Sequence, residues 1–331
     1  MKIFFAGSEN LNAWDKVISP TKARNVLMSY YYLRKYSKDK LEKFIKRVRD
    51  TGNIDYLFLD SGAHTFLAAY GEKKSSGGVA KKVDDPITFS EEYLDWLEQF
   101  GHLFDLVVEL DIGSVLEKIL KGPKGCGQKK IEEWRERMSK MGLHDKMFVV
   151  SHYQYFCDIF GDWKDEWKRM LKEYPYVAIG DGPKGGVLHN HFAIWKQLGT
   201  WSRIHGFAET KNHSMKNYPY WSIDSTSWNI GSKFGHMLIY KPKSYSLTAF
   251  GAIDRTNEDT VQKAFDKLLL VRHLLEPMTQ AIKFNILFEK TDGGLHRDRQ
   301  NVLAFMAFEK DIDELWSRRG VDFNKNLFTK I

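Results

Sequence analysis

The chain is predicted to fold as a (β/α)8 barrel, an α/β TIM-like fold, with extra strands after the eighth and a C-terminal extension. Three observations predict it: short apolar runs recur along the sequence, amphipathic segments separate many of them, and polar residues gather where the runs end. The runs are 2–7 (KIFFAG), 26–33 (VLMSYYYL), 56–62 (YLFLDSG), 106–113 (LVVELDIG), 147–152 (MFVVSH), 176–182 (YVAIGDG), 203–208 (RIHGFA) and 221–225 (WSIDS). Most are continuous rather than alternating, and several are rich in Val and Ile. Strands buried on both faces of a helix-covered parallel sheet have this pattern. Eight such strands with helical crossovers suit a closed barrel, whereas an open doubly wound sheet shows the same pattern with fewer strands.

The connecting segments fit helices. Segment 37–52 starts on Ser37 as a cap, sets Leu41, Phe44, Ile45 and Val48 on one stripe and stops at Gly52. Segments 88–101, 129–142 and 163–174 have the same spacing, and 187–199 fills the gap between the sixth and seventh runs. After the eighth run, 236–241 (HMLIYK) and 244–252 (SYSLTAFGA) read as further strands, and 258–276 reads as the last barrel helix. Residues beyond about 280 read as an appended tail, basic at HRDRQ and WSRRG. The expected organisation is a catalytic barrel over 1–277, with an insertion at 229–257, and an extension over 278–331. No internal repeat or low-complexity tract interrupts it.

At 331 residues, with 43% hydrophobic and 14% aromatic content, the composition is that of a well-packed soluble protein. No apolar run approaches the length of a membrane span. The opening MKIFFAGSEN is too short an apolar stretch for a signal peptide and reads as a first strand. Cys126 and Cys157 suffice for neither a disulfide framework nor a four-cysteine zinc site, so a reducing, cytoplasmic home is expected. A balance of 50 basic to 43 acidic residues leans mildly toward polyanionic partners.

Position is more informative than residue type. The third run ends in Asp60-Ser61-Gly62, the fourth at Asp111, the fifth at Ser151-His152, the sixth at Gly180-Asp181, the seventh at His205-Gly206 and the eighth at Asp224. In a barrel these all fall at the carboxyl-terminal mouth, where barrel active sites are built. Singly, each also reads as a helix cap or turn residue. Carboxylates facing one pocket suit displacement at a sugar carbon: one attacks the anomeric position while another moves a proton. Asp224 has no sequence-adjacent cation, and Ser225, Thr226 and Ser227 can orient it, hold phosphate or cap the following turn.

Three other patterns carry less. GDGPKG (180–185) satisfies G-x-G-x-x-G between a strand and a helix, with Glu209 after the next strand. Pro183 is awkward in a phosphate-binding turn, and a glycine-rich mouth loop is the better reading. HNH (189–191) lies inside a helix, and the spaced His205, Glu209 and His213 begin inside a strand, so neither makes a metal site.

Five segments in order, LDSGAHTF (59–66), VELDIG (108–113), VAIGDG (177–182), IHGFA (204–208) and SIDSTSW (222–228), resemble the tRNA-guanine transglycosylase superfamily. DSGA and DSTSW look most like the phage 7-deazaguanine DNA transglycosylases, and the match covers about residues 50 to 230. The resemblance implies an enzyme that exchanges guanine in a polynucleotide for a 7-deazaguanine base on a barrel. It implies Asp224 as nucleophile, Asp60 as proton shuttle and Asp111 as acceptor of base N–H groups. Base contacts are implied for Ser61, Gly62, Gly180, Asp181, His205 and Gly206. The family's strand-five glutamine is replaced here by Ser151 or His152. The family's cysteine-built zinc site is missing, because no cysteine follows Cys157.

The expectation is therefore a DNA guanine transglycosylase (a pentosyltransferase) of phage type that uses no redox cofactor and no metal. Its partners would be DNA with the target base flipped out and a free 7-deazaguanine base of the preQ0 type, with no membrane. Lys184, Arg297, Arg299, Arg318 and Arg319 would hold phosphates. A homodimer is compatible with the resemblance, although no interface signature is visible. Competing expectations are a zinc-free tRNA enzyme of the same chemistry, a NAD-dependent oxidoreductase using GDGPKG, and a catalytically silent nucleic-acid-binding barrel.

Overall fold

Eight parallel strands close into a barrel in chain order: β1 (Lys2–Ala6), β2 (Asn25–Ser29), β3 (Tyr56–Asp60), β4 (Leu106–Val108), β5 (Met147–Ser151), β6 (Tyr176–Ile179), β7 (Arg203–Gly206) and β8 (Ser222–Ser225). β9 (Met237–Lys241) and β10 (Ser246–Phe250) form a separate antiparallel pair where further strands were predicted. The computed structural model describes residues 1–51, 53–75, 85–180, 186–229, 236–250, 262–263, 266, 272–275 and 292–323. By its contacts the chain divides into two compact units, Val26–Phe207 and Met1–Asn25 with Ala208–Ile331.

Within Val26–Phe207 the local signals act as read. Ser37 Oγ accepts the Lys40 N–H at the start of helix Lys38–Asp50, which buries Leu41, Phe44, Ile45 and Val48. Asp85 caps helix Pro86–Phe100 by accepting from the Ile87 and Thr88 N–H groups, with proline at the first helical position. Phe58 on β3, Phe148 on β5 and His205 on β7 form one aromatic layer, with centroids 4.9 Å apart for Phe58–Phe148, 5.3 Å for Phe58–His205 and 5.4 Å for Phe148–His205. Side chains from alternate strands fill a barrel in this way.

Most strands stop before their predicted runs end, and β2 and β4 stop halfway or sooner. β2 stops at Ser29, and Tyr30–Leu33 turns into a helix. Burying Tyr30 against Phe89, Tyr93 and Trp96, at 5.4, 4.9 and 5.5 Å, overrides the strand preference of three consecutive tyrosines. β4 stops at Val108, whose carbonyl accepts the Tyr93 hydroxyl at 2.6 Å. Burial, with Asp60 next, raises the Tyr93 pKa well above 10, so it stays a donor. Beyond Val108 the Glu109 carboxylate takes the place of the ladder: Oε1 accepts Val150 N–H at 2.6 Å, and both oxygens accept from Arg135.

The other unit pairs β1 with β8 in parallel, Phe4 beside Asp224. Within the expected extension, Asp292–Arg318 forms a helix. It packs on β1 through Phe5 and Phe305, at 6.3 Å, and on β9 through Tyr240 and Phe308, at 5.8 Å. Trp316 Nε1 donates to Met215 O at 3.3 Å. Buried Val302, Phe305, Phe308, Ile312 and Trp316 form the apolar stripe through which this helix packs. The expected last barrel helix, 258–276, lies mostly outside the described residues, as do parts of the 229–257 insertion. Among the described residues, no helix is long and apolar enough to cross a membrane.

Replacing Glu109 with Gln leaves the Arg135 charge buried and should lower unfolding free energy by about 3 kcal/mol in urea titrations; an unchanged midpoint would show that the pair does not hold the strand. A second expectation concerns Glu309. Burial raises its carboxyl from 4.5 to about 7 against the pull of the Met1 amine. The folded chain therefore holds a proton that the unfolded chain has released, and this contribution to stability declines as pH rises from about 4.5 to about 7. Glu309→Gln should flatten that decline when midpoints are compared below pH 4.5 and above pH 7. Parallel curves for the two proteins would refute it.

Candidate active site

Asp60 closes β3, and the strand leads into a turn made by Ser61 and Gly62 before helix Ala63–Ser75. One Asp60 oxygen, Oδ2, accepts the Gly62 N–H at 2.9 Å, which fixes the carboxylate to its own turn. Ser61 is buried and its Oγ accepts from Ala63 N at 3.4 Å, a capping role. Gly62 sits at φ +73°, and a Cβ there would lie 2.5 Å from Tyr31 Cβ and 2.9 Å from its backbone nitrogen. Only glycine fits this turn.

Asp111 lies three residues past β4, in the segment released by Glu109, at the start of the turn into helix Gly113–Leu120. Its Oδ2 meets His152 Nε2 at 3.1 Å, and both side chains are about four-fifths buried, at 22% and 20% exposure. A carboxylate only accepts, so Nε2 carries the proton in this pair. Gly180, just past β6, is the floor under that ring: a Cβ there would lie 2.7 Å from His152 Cε1 and 2.9 Å from Nδ1. Gly180 N donates to Ser151 O at 2.9 Å, continuing the β5–β6 ladder beyond Ile179. Asp111, His152 and Gly180 thus form one array, assembled from three successive strand ends.

Ser151 and His205 depart from the expected base contacts. Ser151 is fully buried, with its hydroxyl 3.5 Å from His191 Nε2. His191 donates from Nδ1 to Val187 O at 2.9 Å and stacks on Trp163 at 4.0 Å. Burial lowers its pKa to about 4, so the ring is neutral and structural. His205 is likewise fully buried in the aromatic layer, with Phe207 4.7 Å away. Its ring fills the barrel core rather than facing a ligand. Gly206 ends β7 in register with Ile179. Asp181 and Lys184 lie outside the described residues, as does most of GDGPKG.

Asp224, described within its own unit, is half-buried near the end of β8. Its Oδ1 accepts the Ala208 N–H at 2.7 Å, and Ala208 adopts a left-handed φ of 50°. Ser225 is buried and its Oγ accepts Ser227 N–H at 3.0 Å, so this hydroxyl caps the turn, while Thr226 is exposed. Trp228 is fully buried, its Nε1 donating to Ala6 O at 2.9 Å. Asn301 donates from Nδ2 to Trp228 O at 2.9 Å and accepts Leu238 N–H at 2.6 Å. These last contacts, which sequence spacing could not reveal, lock the segment that carries Asp224.

The expected phosphate-binding arginines are largely engaged. Arg297 is buried at 3% exposure, so it presents no charge at a surface, and the basic-tail expectation fails there. Arg299 donates to Lys16 O at 2.7 Å, Arg318 to Tyr245 Oη at 2.6 Å and Arg319 to Lys216 O at 2.6 Å. Among the described residues, no group of three or more His, Cys, Asp or Glu side chains could hold a metal ion.

Neither a protein-family model nor a curated protein matches the chain.

Gly62→Ala should lower stability by about 2 kcal/mol or more, since it combines a positive φ with a backbone collision. A urea midpoint equal to that of the unsubstituted protein would mean that the Asp60 turn relaxes freely.

Proposed function

We propose that the chain is a base-exchange glycosyltransferase that replaces guanine in DNA with a 7-deazaguanine base. The observation that carries the reading is Asp224: a half-buried carboxylate near the end of a barrel strand, with one oxygen aimed by the Ala208 amide at 2.7 Å. It is supported by Asp60 ending a second parallel strand of the same barrel, and by the Asp111–His152 pair. The motif resemblance gives these residues their roles.

In the proposed reaction the Asp224 carboxylate attacks C1′ of the target deoxyribose. The C1′–N9 bond breaks and guanine leaves, its nitrogen protonated by Asp60. A covalent aspartyl-deoxyribose remains. The incoming base then gives its N9 proton to the Asp60 carboxylate, N9 bonds to C1′, and the ester C–O bond breaks to regenerate Asp224. Asp111, paired with His152, accepts from base N–H groups. The target nucleotide must leave the stack to reach these groups, at a cost of roughly a few kcal/mol. No redox cofactor enters the scheme.

Radiolabelled guanine exchange into single-stranded and duplex DNA tests the reading. The unsubstituted protein should incorporate label, Asp224→Ala should reduce it by about a thousandfold or more, and Asp60→Asn should also suppress it. Incorporation that survives Asp224→Ala removes the nucleophile assignment. Incorporation into tRNA but not DNA would establish the alternative substrate.

A further inference from the structure

The residues after β2, Tyr30 to Tyr36, interleave aromatic and basic side chains over one turn of helix and its exit. Tyr30 and Leu33 point into the core, and the others stay at the surface. Tyr31 and Tyr32 meet edge to face at 5.3 Å, and Tyr32 is 43% exposed. The Lys35 ammonium lies 5.2 Å from the Tyr31 ring centre and 5.7 Å from that of Tyr32. Arg34 lies 5.6 Å from Tyr31 and is tied to Glu92 at 3.1 Å, whereas Lys35 makes no ion pair among the described residues. Lys40 stands 4.0 Å over Tyr36 at the same edge.

Two features give this patch a partner. The first is place: β2 neighbours β3, and Tyr31 is the residue that a side chain at Gly62 would strike, so the patch borders the turn that carries Asp60. The second is chemistry. An exposed ring at Tyr32 and a half-buried one at Tyr31, beside the Lys35 ammonium, match a chain of planar bases joined by phosphates. Base–aromatic stacking tolerates any base, and lysine neutralises the backbone. A self-contained cation–π contact explains one ring with one cation, but it does not require an exposed second tyrosine on the site side of the strand end.

We propose that Tyr31, Tyr32 and Lys35 form a platform for the single-stranded DNA that flanks the extruded nucleotide. Bases stack on the tyrosines and Lys35 holds a phosphate. The location rests on the function proposed above, but the binding itself does not require base exchange.

The test is fluorescence anisotropy of a labelled oligo-dT, which contains no guanine to exchange. Tyr32→Ala should weaken binding about tenfold or more, while Tyr32→Phe should stay within about twofold. Lys35→Ala should reduce the magnitude of the salt slope by about 0.7, the value for one phosphate on a single strand. Unlabelled single-stranded DNA should displace the probe better than duplex of equal length. The proposal is overturned if oligo-dT does not bind, if duplex competes better, or if oligo-rU competes better, which would make the strand RNA. It is also overturned if Tyr32→Ala and Lys35→Ala leave affinity and slope unchanged. Sensitive oligo-dT binding without guanine exchange would uphold the platform and sink the transferase reading; exchange with insensitive binding would do the reverse.

Discussion

The Glu109 carboxylate holds the architecture of the Val26–Phe207 unit together. In a continued parallel ladder the Val150 N–H would donate to the backbone carbonyl of residue 109; here it donates to that residue's side chain. The substitution ends β4 after three residues and lets the chain leave the sheet at Leu110. Asp111 reaches His152 because of that early exit. The carboxylate needs a counter-charge to be buried, and Arg135 from helix Cys126–Lys140 supplies it with two hydrogen bonds. A strand, its neighbour and a covering helix are thereby held by one ionised group, which suits a buried pair better as a device for register than for net stability.

The other unit reaches a similar end by neutral means. Asn301 is fully buried and uses both ends of its amide, one on Leu238 N–H and one on Trp228 O. Trp228 in turn caps Ala6, the last residue of β1. β9, β1 and the segment after Asp224 therefore share one satisfied polar network on the long helix. Buried networks of this kind penalise any alternative arrangement, because each broken bond leaves a dry donor or acceptor. Asp224 thus stands between the β1 pairing on one side and this network on the other.

Much of this was legible because continuous apolar runs and helical stripes are set by burial, which each segment expresses for itself. Lys38–Asp50 follows its Ser37 cap and its Leu41–Val48 stripe almost residue for residue. What was not legible depends on partners distant in sequence. Strand-end position marked Asp111 and His152, but not that residues 41 apart would pair. It marked His205 equally, since a run buried on both faces does not tell an inward ring from a mouth residue. Arg297 looked like solvated charge because its helix could not be packed against β1 and β9 from sequence. Three tyrosines after β2 read as strand because aromatic preference for strands is local, whereas the Phe89, Tyr93 and Trp96 cluster that captures Tyr30 is not.

An aspartate near the end of an aromatic-rich strand must be aimed if it is to act, and the groups that aim it bear on its chemistry. In the proposed reaction a guanidinium or ammonium would aim it firmly, but would also stabilise the ionised carboxylate and blunt attack on carbon. The Ala208 amide offers a partial charge in a fixed direction, and the left-handed backbone at Ala208 turns that N–H toward Asp224. Backbone strain at one residue is thus exchanged for orientation at another, the use to which strained positions near reactive groups are commonly put. Asp60 follows the same rule with the amide of Gly62, two residues on. Each carboxylate is held by the turn that its own strand, or the strand before it, makes on leaving the barrel. The backbone of the fold itself thus contributes to the orientation of both carboxylates.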